Sequence, residues 1–173
     1  MIKTLSNEFM QKISTDEAWK ELSGTYSWSE SLLEKYQDRV DWHDVSENPF
    51  ILWTIPMIQK FKNRIDWDKF SRHARTETLT EAFIDAFKDK WNWTELSENS
   101  AMELTHELLE KYADKWNWET IIDCWECNIF DEKGIDFYER YKDYIPASKL
   151  QQSMLWKEIV KQQKIQLINE IIA

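Results

Sequence analysis

The sequence predicts an all-α fold, built of tandem helix-pair repeats and stacked as a short α-solenoid or superhelical bundle. Three observations predict it. A Trp-centred phrase recurs with its Trp at 19, 42, 67, 93 and 118, at spacings of 23, 25, 26 and 25 residues. A fixed period of this size is the signature of a stacked array. Each period holds two helix starts, marked by a capping residue with one apolar residue before it and another four after it. Two Gly and three Pro in 173 residues are too few for the many tight turns of an all-β chain.

Residues 1–18 read as a lead-in with one short helical stripe, Phe9 and Ile13. Thr15-Asp16-Glu17 reads as a helix start, its acids near the positive end of the dipole. Trp19-Lys20-Glu21-Leu22-Ser23 is a degenerate first copy of the phrase, and Gly24 after it reads as a left-handed stop.

The repeats proper occupy residues 19–146. The phrase appears as Val40-Asp41-Trp42, Ile65-Asp66-Trp67, Trp91-Asn92-Trp93 and Trp116-Asn117-Trp118. With Asp41, Asp66, Asn92 and Asn117 as N-caps, Val40, Ile65, Trp91 and Trp116 staple onto Val45, Phe70, Leu96 and Ile121. The helix that follows is short, because Ser46-Glu47-Asn48 and Ser97-Glu98-Asn99 read as stop-and-turn chemistry.

A second start falls at Ser29, Thr54, Thr80 and Thr105. Trp28, Trp53, Leu79 and Leu104 precede them, with Leu33, Ile58, Ile84 and Leu109 four residues on. From each cap, apolar residues recur at +3, +4, +7 and +11, which is one helix face. Arg39, Arg64, Lys90 and Lys115 stand where a helix carboxyl end favours cations. The +11 residue is also the staple of the next short helix, so adjoining copies share a core residue.

After Trp118 the pattern loosens. Phe137, Tyr138, Tyr141 and Ile145 keep the spacing if Gly134 is the cap, and Pro146 ends that helix. Ser148 with Gln151 reads as a capping box opening a C-terminal capping segment, residues 147–173. Leu155, Ile159, Ile165, Ile168 and Ile172 read as the stripe of a closing amphipathic helix there. The whole chain, 1–173, is thus expected to be one repeat domain.

Asp89-Lys90-Trp91-Asn92-Trp93 and Asp114-Lys115-Trp116-Asn117-Trp118 are its most regular stretches. Through them the chain resembles uncharacterised microbial proteins with tandem repeats of the type Lys-Asp-Lys-Trp-Asp-Trp-x-x-Leu-Ser-x-Asn. The resemblance covers roughly residues 19–146. It implies a helical repeat and carries no activity or site residue with it.

Net charge is −10, divided as +2 over residues 147–173 and −12 over the rest. An acidic body opposes binding to a phosphate backbone and suits a basic protein partner. No run approaches a membrane span and no apolar signal core opens the chain, so a cytoplasmic protein without nucleic-acid or membrane ligands is expected. Two Cys do not make a disulfide framework. Cys124 and Cys127 form a lone pair without further ligands at zinc spacing, and a small buried hydrophobe is the expected role. His43, His73 and His106 fall at unrelated positions. There is no Gly-rich phosphate loop, nucleophile elbow or zinc-protease helix. No catalytic residue, cofactor or metal site is therefore assigned.

The phrase Trp residues read as core wedges between copies. Trp28 and Trp53, nearer loops, are the aromatic candidates for partial exposure and partner contact. Asp38, Asp89 and Asp114 fall at one repeated solvent position and are the acidic candidates. The expected function is a non-enzymatic scaffold for a protein partner, the alternative a small acidic antagonist (an immunity-type or nucleic-acid-mimic protein) masking a basic target. Oligomeric state is left open.

Overall fold

The computed structural model describes residues 7–124, 128–130 and 134–172. Among them it holds twelve α-helices, one 3-10 turn and no strand. The chain divides into two compact units, residues 1–95 and 96–173.

The first unit holds α1 (Asn7–Thr25), α2 (Glu30–Tyr36), α3 (Trp42–Glu47), α4 (Ile55–Phe61), α5 (Trp67–His73) and α6 (Glu81–Ala86), and α7 (Trp93–Ser97) begins at its end. Phrase helices pack on phrase helices, α1 on α3 and α3 on α5. The second unit holds α8 (His106–Lys111), α9 (Trp118–Ile122), the 3-10 turn Asn128–Phe130, α10 (Gly134–Tyr141), α11 (Ala147–Leu150) and α12 (Met154–Ile172). Here α9 packs on α11, and α10 on α12.

The capping residues act as the sequence predicts. Ser29, Thr54 and Thr105 accept hydrogen bonds from the backbone N–H of Leu32, Met57 and Leu108. Asp41 accepts from His43 N–H, Asp66 from Asp68 and Lys69, Asn92 from Thr94 and Glu95, and Asn117 from Thr120. Thr80 occupies the cap position of α6 without a side-chain bond. Both partners of every phrase staple, from Val40 and Val45 to Trp116 and Ile121, are buried.

The second helix of each copy ends earlier than the apolar spacing suggests, and the remainder is a tight turn. In each copy the +10 and +11 N–H groups both donate to the +7 carbonyl, as Arg39 and Val40 do to Tyr36 at 2.8 and 3.1 Å. The same pair recurs on Phe61, Phe87, Tyr112 and Tyr141. This i→i−3 tightening satisfies the last carbonyl and still delivers the +11 side chain to the core.

The phrase helix ends where the stop-and-turn reading puts it, at Glu47 in α3 and Ser97 in α7, but the Ser has a further use. Ser23 and Ser46 donate to the carbonyls of Trp19 and Trp42, four residues back, at 2.7 and 2.6 Å. The same hydroxyls accept from the backbone N–H of Asp41 and Asp66, the caps of the following copy, at 2.9 Å each. Ser71 accepts from Asn92 N–H, and Ser97 from Asn117 N–H, at 3.0 Å. Each phrase helix is thus tied to the next cap through one side chain. The Asn after it does make the turn: buried Asn48 accepts from Phe50 N–H and donates to the carbonyls of Ser23 and Tyr26.

The ends differ from expectation. Thr15 does not start a helix, because its hydroxyl donates to the Gln11 carbonyl inside a continuous α1. Gly24 lies within the last turn of α1, and no described glycine has positive φ. The cap of α12 is Ser153, which accepts from Trp156 N–H at 3.2 Å, while Ser148 lies inside α11.

Gly134 is the first residue of α10 and packs directly on α12. A Cβ there would stand 3.0 Å from Ile159 Cγ1 and 3.3 Å from Ile159 N. Gly134→Ala is therefore expected to destabilise by about 1–3 kcal/mol through overpacking, read as a lower denaturant midpoint at unchanged slope.

Candidate functional site

The aromatic candidates lie in the core. Trp28 is 6% exposed and Trp53 8%. Trp28 donates its indole N–H to the Leu22 carbonyl at 2.9 Å, and Trp53 sets its ring edge-on to Phe70 at 5.5 Å. The expectation of partial exposure is corrected. The residue before each second cap faces inward as a staple, and buried Leu79 does the same work in its own copy.

The phrase Trp residues sit nearer the surface. Trp42, Trp67 and Trp93 are half-buried, and Trp118 is buried. Their indole N–H groups donate to the carbonyl five residues back: Gln37, Lys62, Lys88 and Ala113, at 2.7–3.0 Å. Each ring closes the end of the helix before it. Arg39 lies over Trp19 at 4.9 Å and Arg64 over Trp42 at 6.0 Å, so these cations also bind the preceding copy. The deeper wedges are the staples Trp91 and Trp116.

Asp38, Asp89 and Asp114 are all exposed, in the turn after each second helix. Asp38 accepts from Arg64 at 2.9 Å. Asp38 and Asp89 belong to the first unit and Asp114 to the second.

The histidines have structural partners. His43 Nδ1 lies 2.8 Å from Asp66 Oδ2. Burial raises the Asp66 carboxyl, but hydrogen bonds from His43 and from the backbone of Lys69 and Asp68 outweigh it and hold Asp66 below its ordinary value. His106 Nδ1 lies 2.8 Å from the hydroxyl of Tyr141, whose pKa burial pushes up to about 12. Cys124 is half-buried, and Cys127 lies outside the described residues. Among the described residues no group of three or more His, Cys, Asp or Glu is placed to hold a metal ion. None of their helices is long and apolar enough to cross a membrane.

Each unit carries an acidic concave surface among its described residues. The second unit carries a cavity of about 1000 Å³, lined by Glu98, Glu103, Glu119 and Asp123 together with Asn99 and Met102. No Lys, Arg or His is among its described lining residues. Glu119 pairs with Lys149, and Asp123 accepts from Met154 N–H at 3.2 Å. The first unit carries a groove of about 650 Å³, where Glu17, Glu21, Asp44 and Glu47 outnumber Lys20 and His73. Burial, then repulsion from Asp41, raises the Asp44 carboxyl.

Sequence reasoning missed both surfaces, although one signal was available. Glu47 and Glu98 are the middle residues of the two Ser-Glu-Asn stretches, and each lines the concavity of its own unit. An acidic position thus recurs at the end of the phrase helix or just past it, at Glu47, Glu98 and Asp123, with Arg72 in its place in one copy.

Compared with protein-family models, curated proteins and solved structures, the chain matches none of them. What stands is the architecture: short Trp-initiated helices at Trp42, Trp67, Trp93 and Trp118, with α1, α3 and α5 packed in succession in the first unit.

Proposed function

We propose that the chain is a non-enzymatic helical-repeat scaffold that binds a protein partner through a basic surface of that partner. One observation carries the reading: the 1000 Å³ cavity of the second unit, with acids and no cation among its described lining residues. Helical repeats place function on extended concave faces of this kind. An acidic concavity attracts Lys- and Arg-bearing proteins and repels nucleic acid and anionic membranes. On this reading the chain is one of the tandem, short, Trp-rich repeat proteins that it resembles, and it works in the cytoplasm.

The test is affinity capture from the native cell with three forms: wild type, Glu98→Gln with Glu103→Gln, and Asp38→Asn with Asp89→Asn and Asp114→Asn. Glu119 is left intact because it already holds Lys149. Neutralising the cavity is expected to weaken the partner about tenfold or more at low salt, with the difference shrinking as salt rises. Loss only with the turn variant would move the site to the Asp38 position. Retention by both variants would contradict an acidic interface.

A further inference from the structure

The two longest helices each expose a face that is apolar at one end and charged at the other. In α12, Leu155, Ile159 and Gln162 point toward α10, where Gln162 Oε1 accepts from Gly134 N–H at 2.8 Å and a Cβ on Gly134 would meet Ile159 and Leu155. Beyond that point the apolar residues change sides. Ile165 and Ile168 are 52% and 46% exposed, and Val160, Leu167, Ile171 and Ile172 are exposed too. The expected single stripe from Leu155 to Ile172 is therefore not one face.

Opposite the α10 side, Lys157, Val160, Lys161, Lys164, Ile168 and Ile171 recur at +3, +4, +7, +11 and +14, which is one helix face. Its amino-terminal half is cationic and its carboxyl-terminal half apolar. On α1 the order is reversed. Phe9, Met10 and Ile13 are exposed, and Ile13, Glu17, Lys20, Glu21 and Gly24 follow at +4, +7, +8 and +11. From Glu17 to Gly24 this face forms a wall of the acidic groove that Asp44 and Glu47 complete.

We propose that these two faces bind one another between copies of the chain, α12 of one copy lying antiparallel along α1 of a second. Only that direction satisfies both halves. Lys157 and Lys164, with Lys161 that pairs with Glu158 in its own helix at 3.0 Å, then meet Glu17, Glu21 and Asp44 beside Glu47, which Lys69 holds at 3.0 Å, while Ile168 and Ile171 meet Ile13, Met10 and Phe9. The parallel direction sets lysines against the apolar end and isoleucines against the carboxylates. The lengths agree as well, each face running about 20 Å at the helical rise. Because the two surfaces differ, the contact is heterologous and closes only if two copies exchange helices. It uses none of the residues lining the second unit's cavity, so Glu98→Gln with Glu103→Gln is expected to leave it intact.

Sedimentation equilibrium of the full chain tests this over a wide concentration range. Wild type is expected to rise above the 21.1 kDa of one copy as concentration increases. Lys157→Glu with Lys161→Glu and Lys164→Glu is expected to stay at one copy, and so is Glu17→Lys with Glu21→Lys. All five side chains are exposed, so both variants are expected to keep the wild-type circular dichroism melt. Mixed together they are expected to associate again, since the reversed α12 of the first fits the reversed groove of the second. A wild type that remains single at every concentration overturns the proposal. So does a Glu17→Lys, Glu21→Lys variant that still self-associates, because α12 would then be pairing elsewhere. Binding of a monomeric wild type to phosphatidylserine–phosphatidylcholine vesicles would assign the lysine face to a membrane, and also overturns it.

Discussion

Trp91→Ala is expected to cost about 3–5 kcal/mol of folding stability, and Trp93→Ala clearly less. The two residues flank the same cap and look alike in sequence, yet their surroundings differ. Trp91 is 5% exposed; its ring stacks on Phe70 at 5.3 Å and sets an edge to Trp67 at 5.4 Å. Its indole N–H donates to the Ile84 carbonyl at 3.3 Å. Alanine there removes a large apolar surface and leaves a void between copies that rigid neighbouring helices cannot fill. Trp93 is half-buried and its indole N–H meets the Lys88 carbonyl near the surface, where water can replace it. Denaturant unfolding of the two variants and wild type checks this. Equal losses would show that the staple is not the joint between copies.

Ser46→Ala and Ser71→Ala are each expected to cost about 1–3 kcal/mol, a large effect for removing one oxygen. Both side chains are buried. Ser46 receives the Asp66 N–H and passes its own proton to the Trp42 carbonyl, and Ser71 receives the Asn92 N–H. Alanine strands a backbone donor at the start of the next helix, with no room for water to take the oxygen's place. Ser31→Ala, on an exposed serine whose hydroxyl meets the Ser29 hydroxyl at 3.1 Å, is expected to change stability by no more than about 0.5 kcal/mol. The contrast in thermal midpoint reads directly on the joint.

Most of the fold was legible because caps and staples are local. Asp66 and Thr54 announce their helices through the apolar residues around them, and the structure keeps both. The long-range role of Ser46 was not legible because a serine near a helix end has two local uses, turn and back-bond, and its second partner lies 20 residues away. Thr15 was misread for the same reason in reverse: a capping residue inside a long helix simply bonds to the turn behind it. Trp28 and Trp53 were placed by their nearness to loops, whereas burial is set by which way a staple residue faces. The acidic concavities are tertiary. They assemble Glu98 with Asp123, or Glu17 with Asp44, from different segments of the chain, and helical spacing within one element cannot bring those together. The reversal along α12 was hidden for a different reason: Leu155 and Ile168 belong to one list of apolar residues but to opposite faces.

The account turns on each copy being fastened to the next through a buried serine that accepts the following cap's amide. Hydrogen exchange at the backbone N–H of Asp41, Asp66, Asn92 and Asn117 tests this most directly. These amides are the first of their helices and have no helical acceptor of their own. They are expected to exchange slowly, on the timescale of global unfolding, and to become fast at Asp66 in Ser46→Ala and at Asn92 in Ser71→Ala. Fast exchange at all four in the wild type, at the rate of exposed turn amides such as Asn63, would contradict the joint.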